Sequence, residues 1–195
     1  MPKNLTKEQF YQNKISWKKS FLDNFSQDEN GDAVPWMTYP AIEFLKNTIT
    51  KNHEIFEFGC GASTLFFARN AKKVVGLETN EVWLKIVQNF LQREGLENAK
   101  INLMADGLTN ANYENFAKNS GQKFDLIVID SLKRFDCAKN VIEALKPQGM
   151  VILDDSERKN YAKIFKFFAD AKFKQRDFFG IAPGQLRVKN TTVFF

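Results

Sequence analysis

A short glycine-containing segment carries the strongest chemical signal in the sequence. Residues 57–64 read EFGCGAST and join an apolar run to a predicted helix. Gly59 and Gly61 let the backbone turn sharply and approach a ligand with no side chain in the way. The helix that begins near Ala62 points free N–H groups at a carboxylate or phosphate. Any tight turn between a strand and a helix can use such residues, so this segment alone does not define a binding site.

Acidic residues at the ends of the next predicted strands strengthen the case. Glu78 lies 21 residues after Glu57, the spacing at which nucleotide-binding folds place a ribose-binding acid. Asp106 follows the third predicted strand and could accept a hydrogen bond from an adenine amino group, and Asp130 ends the fourth strand. Because open α/β sheets bind ligands at the carboxyl ends of their strands, we expect these acids to surround one crevice.

Alternating strands and helices must position these residues. Strands are predicted at 54–58, 73–78, 100–104, 124–130 and 150–154, and helices at 39–50, 62–70, 81–94, 110–119, 136–145 and 160–171. The last two strands, 173–179 and 191–195, have only a loop between them and should form an antiparallel hairpin. The pattern predicts an α/β fold: a doubly wound, seven-stranded, mostly parallel sheet with an antiparallel C-terminal hairpin and right-handed crossovers.

An N-terminal helix is predicted ahead of this domain. It spans 6–25, with Thr6 as N-cap, and Phe10, Trp17, Phe21 and Phe25 share one face. We expect that face to pack on the domain, although a helix that covers substrate or mediates a dimer has the same pattern. Residues 1–34 are therefore interpreted as a helical extension and residues 35–195 as the ligand-binding domain.

The ordered set of motifs resembles class I S-adenosylmethionine-dependent methyltransferases over residues 35–195. The matching segments are EFGCG at 57–61, GLETN around Glu78, ADG at 105–107, FDLIVID at 124–130 and LKPQGMVILDD at 145–155. The resemblance implies that Gly59 and Gly61 line the methionine part of the cofactor, with Cys60 and Ser63 in the same turn. It also implies that Glu57 holds the ammonium through a water molecule, Glu78 the ribose and Asp106 the adenine, while Asp130 lies beside the sulfonium and the acceptor.

The catalytic base and a metal are the open points of this resemblance. Asp130 and Asp154 are the predicted bases, because an oxygen or nitrogen acceptor must lose a proton. Catechol-type O-methyltransferases, which the sheet also resembles, bind a divalent cation here, and Asp130, Asp154 and Asp155 could supply oxygen ligands. Asn is usual where Asp155 stands. We predict no metal site, and one of the pair could instead cap the turn into the next helix.

The bulk composition restricts the acceptor only loosely. The formal net charge of +5 leaves RNA possible, but the basic residues are scattered, so a small-molecule acceptor is favoured. An NAD-dependent oxidoreductase would share the turn and the ribose acid, but Thr64 replaces the third glycine of its motif. A non-catalytic cofactor-binding module is the other alternative. Cys60 and Cys137 lie far apart without metal-site spacing, and no apolar segment is long enough to span a bilayer, which predicts a cytoplasmic protein with reduced thiols and no membrane contact.

Overall fold

The computed structural model describes residues 13–195, which form a seven-stranded sheet in the order β3-β2-β1-β4-β5-β7-β6. The strands are β1 (Glu54–Phe58), β2 (Lys73–Glu78), β3 (Ala99–Leu103), β4 (Phe124–Ile129), β5 (Leu145–Leu153), β6 (Gln175–Ile181) and β7 (Val188–Phe194). The first five strands pair in parallel, and β7 pairs antiparallel with both β5 and β6. The predicted fold class is confirmed.

Helices cover both faces of the sheet, because strands such as β4 are apolar on each side. The helices are α1 (Lys14–Asp23), α2 (Tyr39–Thr48), α3 (Ala62–Asn70), α4 (Glu81–Arg93), α5 (Phe116–Asn119), α6 (Arg134–Val141) and α7 (Ala162–Asp170), with short 3₁₀ turns at Ile142–Ala144 and Lys159–Tyr161. One apolar core lies under α2, α3 and α4, and a second lies under α5, α6 and α7. Among the described residues, no helix has both the length and the apolar character needed to cross a bilayer.

Two predicted boundaries are wrong for local reasons. The segment Pro147-Gln148-Gly149, expected to end a helix, lies inside β5, where the pairing with β4 shifts register between Phe124 and Leu126. The helix expected at 110–119 is reduced to α5. Asn110 there bonds the Asp106 carboxylate and accepts from the Asn112 N–H at 2.9 Å, and such side-chain bonds compete with a helix.

The buried face of α1 also differs from the prediction. Ser16 and Ser20 are buried and donate to the Gln27 carbonyl at 2.6 and 3.0 Å, whereas Phe21 is 52% exposed. Small hydroxyl side chains let α1 approach the following segment closely, which an aromatic face would prevent. Trp17 contacts the β6–β7 loop by donating Nε1–H to the Gln185 carbonyl at 2.8 Å.

The predicted helix at 6–25 differs from the structure at its C-terminal end, and its N-terminal end lies outside the described residues. Phe25 follows the end of α1 and stacks on Phe90 at 5.0 Å instead of continuing the helix. The predicted cap Thr6 and the aromatic Phe10 lie outside the described residues, and the division at residue 34 stays a prediction.

Candidate active site

The glycine turn, Glu78 and Asp130 border one cavity at the carboxyl ends of β1, β2 and β4. Its volume is about 370 Å³, and its walls are Phe25, Trp36, Met37, Gly59, Cys60, Gly61, Ala62, Ser63, Glu78, Trp83, Asp130 and Ser131. A larger depression of about 540 Å³ lies beside Lys146 and Phe173, and none of the predicted site residues reaches it. We therefore assign the site to the smaller cavity, where the strand-end acids converge.

Glycine is required at the first position of the turn. Gly59 adopts φ +87°, and a Cβ there would lie 2.6 Å from the Asp130 carbonyl oxygen, so the ends of β1 and β4 meet through this residue. The next residue, Cys60, donates its backbone N–H to Glu78 Oε2 at 3.0 Å. The turn and the ribose-type acid are therefore connected directly.

Cys60 directs its thiol away from the cavity wall that its backbone helps to form. A Cβ built on Gly76 would lie 2.3 Å from Cys60 Sγ, so the thiol fills the space above this strand glycine. Burial raises the pKa of the Cys60 thiol well above its usual value. Cys60 and Cys137 are both free and buried, and packing accounts for each thiol.

Glu57 is a fully buried acid behind the turn. Within residues 13–195, neither carboxylate oxygen has a hydrogen-bond partner of normal geometry. Burial raises the pKa of Glu57 to about 8, although the nearby hydroxyls of Ser63 and Thr64 act in the opposite direction. An unpartnered buried carboxyl group is costly, and a cationic ligand group at the turn would reduce that cost.

Glu78 is held rigidly at the rim of the cavity. In addition to the Cys60 bond, its Oε1 accepts the N–H groups of Thr79 and Asn80 at 2.7 and 2.8 Å. A carboxylate has about four acceptor sites, so the group retains capacity for ligand hydroxyls. Trp83 forms the adjacent wall: its Nε1–H donates to the Cys60 carbonyl at 2.6 Å. Sequence reasoning missed Trp83, for which the only signal was an aromatic residue in the first turn after the Glu78 strand.

Asp106 is placed differently from the other predicted acids. It is exposed, is absent from the cavity walls, and accepts from Asn110 Nδ2 at 3.1 and 3.2 Å. The neighbouring Gly107 is enclosed, since a Cβ would lie 2.7 Å from Thr79 Cγ2 and from the Tyr113 ring. An adenine contact by Asp106 stays a prediction and requires the bond to Asn110 to be exchanged.

Asp130 borders the cavity beside Gly59 and keeps 35% of its side-chain exposure. Its Oδ1 accepts from Arg134 Nη2 at 2.7 Å. The surrounding protein raises the pKa of Asp130 by desolvation, and the charge of Asp154 raises it further, while Arg134 and Lys189 oppose both effects. A carboxyl group with a raised pKa beside the cavity is suited to accept a proton.

Asp154 lies behind Asp130 and is only 1% exposed. Its Oδ1 accepts from Thr191 Oγ1 at 2.7 Å, its Oδ2 contacts Lys189 Nζ, and its backbone carbonyl accepts from Arg134. Burial raises the pKa of Asp154, and the Lys189 charge opposes this. Because Asp154 does not line the cavity, its predicted role as a base has less geometric support than that of Asp130.

Asp155 is surrounded by cations. Its Oδ1 contacts Lys189 at 2.8 Å and Arg187 at 3.1 Å, and Oδ2 contacts Arg158. Burial acts to raise its pKa, but Lys189 and the arginines hold the pKa below its usual value. The Asp154 and Asp155 carboxylates accept from side chains, so the alternative that one of them caps the next helix is wrong. Lys189 and Arg134, which pair these acids, carried no sequence signal.

Comparisons with known proteins identify a curated relative that is named as a methyltransferase. No family model matches the sequence. A curated relative, the probable cobalt-precorrin-6B C(15)-methyltransferase (decarboxylating) of Methanobrevibacter smithii, is 29% identical over 126 residues, 62% of this chain and 64% of the relative. The match thus spans less than two thirds of the relative's own length.

Two solved structures have the same fold. One is the precorrin 8w decarboxylase of Methanobacterium thermoautotrophicum, with a TM-score of 0.61 and 18% identity over 88% of this chain and 95% of that one. The other is an rRNA methylase of Streptococcus thermophilus, with a TM-score of 0.61 and 16% identity over 80% and 94% of the two chains. These likenesses confirm the predicted α/β fold with its seven-stranded, mostly parallel sheet and antiparallel C-terminal hairpin.

Proposed function

We propose that the protein is an S-adenosylmethionine-dependent methyltransferase that acts on a small molecule. The observation that carries the proposal is the meeting of the Gly59 turn, Glu78 and Asp130 at one cavity, with the unpartnered carboxyl group of Glu57 behind it. The volume of about 370 Å³ lies within the range of small-molecule sites. The curated relative is named for methyl transfer to a small molecule.

The residues fit an adenosyl sulfonium with separate roles. Gly59 and Gly61 leave room for the methionine part, Glu57 would hold its ammonium, and Glu78 would accept from the ribose hydroxyls. Cys60 and Ser63 would add contacts from the turn, and Asp106 would bind the adenine after releasing Asn110. Trp36 and Trp83 provide aromatic walls, and a cation near an aromatic face gains about 0.5–2 kcal/mol.

For methyl transfer, the protein mainly has to position the methyl donor and the acceptor and to remove a proton from the acceptor. The cofactor supplies an activated methyl group, and orientation of donor and acceptor can contribute up to about 7–11 kcal/mol. Asp130 would take the proton from an oxygen or nitrogen acceptor, since it borders the cavity and its pKa is raised. Asp154, which does not line the cavity, would act indirectly through its contacts with Lys189 and Arg134. The relative's name specifies a carbon acceptor, so this chain could also methylate carbon.

RNA is the second candidate acceptor. The formal net charge of +5 and the rRNA methylase among the similar folds favour it.

A cytoplasmic location belongs to the same proposal, because two free, buried cysteines suit a reducing compartment.

Calorimetric titration with S-adenosylmethionine and with NAD tests the cofactor. We expect binding of the first only, weakened about 10-fold or more by Glu78→Ala, because hydrogen bonds to charged groups contribute about 1.5–3 kcal/mol. Glu97→Ala, at an exposed position away from the cavity, is the matched control and should bind normally. Binding of NAD, or equal affinity in both variants, would contradict the assignment. Release of S-adenosylhomocysteine with candidate acceptors then separates an enzyme from a non-catalytic module.

A further inference from the structure

We propose that the Lys189 ammonium group prevents divalent metal ions from binding to the acid cluster of Asp130, Asp154 and Asp155. The lysine lies on β7, and the acids follow β4 and β5. The inference concerns the cluster behind the cavity and stands apart from the identity of the cofactor. Only its consequence, that methyl transfer here needs no metal, rests on the proposed function.

The three acids would otherwise form a cation site. Each offers a carboxylate oxygen, and these oxygens lie within 4.8 Å of one another. Oxygen ligands of this kind are those preferred by Mg²⁺, Mn²⁺ and Ca²⁺. Like charges this close also repel one another strongly, so a positive charge among them, or a bound proton, stabilises the cluster.

Lys189 supplies that charge from inside the protein. Its side chain is 2% exposed, and Nζ contacts Asp154 Oδ2, Asp155 Oδ1 at 2.8 Å and the Trp36 carbonyl oxygen at 3.2 Å. An ammonium group has three N–H donors, so these contacts use all of them. Burial alone lowers the pKa of Lys189, but the three acids hold it above its usual range, so the side chain stays charged.

Arginines complete the neutralisation of the cluster. Arg134 bonds Asp130 at 2.7 Å and lies 3.7 Å from Asp155 Oδ2, while Arg158 contacts Asp155 Oδ2 and Arg187 contacts Asp155 Oδ1. A divalent ion would therefore have to displace Lys189 from two carboxylates and remain close to three guanidinium groups. The residues present do not fit a metal.

Lys189 also connects the acid cluster to the cavity wall. Its bond to the Trp36 carbonyl joins Asp154 and Asp155 to a residue that lines the cavity. Lys189 is thus a positioning residue: it acts through the carboxylates and through Trp36. A divalent ion could take over the first of these contacts when the lysine is removed.

Titration with Mn²⁺ alone, followed by electron paramagnetic resonance of the free ion, tests the inference without cofactor or acceptor. We expect the wild type not to bind Mn²⁺ at millimolar concentration. Lys189→Ala should gain one site whose affinity is at least about 10-fold higher than that of the wild type, since even weak Ca²⁺ modules have dissociation constants of about 10⁻⁴–10⁻³ M. The double variant Lys189→Ala/Asp155→Asn should lose that site again. Lys163→Ala, at an exposed lysine on α7, is the control and should behave as the wild type.

Two results would overturn the inference: a Mn²⁺ site in the wild type, or a folded Lys189→Ala variant that gains none. Should that variant fail to fold, Lys189→Gln, which removes the charge and keeps much of the side-chain length, takes its place in the same titration. Cofactor binding that fails while Mn²⁺ follows the expected pattern would refute the proposed function and leave this inference intact.

Discussion

Binding of S-adenosylmethionine is expected to release a proton from Glu57. In the free protein the pKa of this buried acid is about 8, so about 0.9 of the molecules carry the proton at pH 7. An ammonium beside the carboxylate favours the ionised form and lowers its pKa. Binding at pH 7 should therefore release up to about 0.9 proton, and binding at pH 9 only about 0.1.

Calorimetry in buffers of different ionisation enthalpy measures this proton directly. The slope of the observed enthalpy against buffer enthalpy gives the number of protons released, and a pH series should show the decline from pH 7 to pH 9. Glu57→Gln has no proton to lose at this position and should give a clearly smaller slope than the wild type, whereas Glu97→Gln, at an exposed position, should match the wild type. A wild-type slope near zero at pH 7 would refute the role given to Glu57.

The same acid should make the free protein less stable as the pH rises. The unfolded side chain ionises near its usual pKa of 4.5, while the folded one keeps its proton until about pH 8, so the folded state binds more protons in this window. The contribution of Glu57 to the free energy of unfolding is therefore fully present below pH 4.5 and decreases as the pH rises to about 8. The expected loss from this group is about 3 kcal/mol at pH 7, at about 1.4 kcal/mol per pH unit. The free energy of unfolding of Glu57→Gln, measured in urea, should not show this decrease with pH.

Two further substitutions test the packing and the charges around the site. Gly76→Ala should destabilise the protein and Cys60→Ala should partly rescue it in the double variant, because the new Cβ would lie 2.3 Å from Cys60 Sγ; additive effects on urea unfolding would contradict this contact. Asp154→Asn should cost about 1.5–3 kcal/mol because it removes one of the two carboxylates that contact the buried Lys189. Asp170→Asn, which breaks an exposed pair with Lys166, should cost less than about 1 kcal/mol, and equal losses in the two variants would argue against a buried ion pair at Asp154.

The parts of the fold that could be predicted are those set by local sequence. The bounds of β1 and β2 agree with the prediction because each strand is an apolar run that ends at a turn or at Glu78. Gly59 was identifiable because a strand that turns directly into a helix needs a residue tolerant of positive φ. The hairpin of β6 and β7 followed from the absence of room for a crossover helix.

The parts that could not be predicted depend on partners distant in sequence. Lys189 pairs with Asp154 across 35 residues, and Trp83 reaches the Cys60 carbonyl across 23. No periodicity in either segment indicates these contacts, since they arise only when β7 joins β5 and when α4 packs beside the turn. The start of β5 was missed for a related reason: Pro147 and Gly149 usually end elements, but a register shift against β4 accommodates them.

The charges around the cavity favour a cationic ligand over a dinucleotide. Glu57, Glu78 and Asp130 surround the turn, whereas the nearby cations Arg134 and Lys189 are already engaged by the acid cluster. A dinucleotide would bring a negatively charged diphosphate to this turn, where the Glu78 carboxylate would repel it and where its charge would keep the proton on the buried Glu57. A ligand with a sulfonium and an ammonium is attracted by Glu78 and favours ionisation of Glu57 and Asp130, whose pKa values are raised in the free protein. The turn is common to both nucleotide-binding classes, so it is the unpartnered acid behind it that separates them.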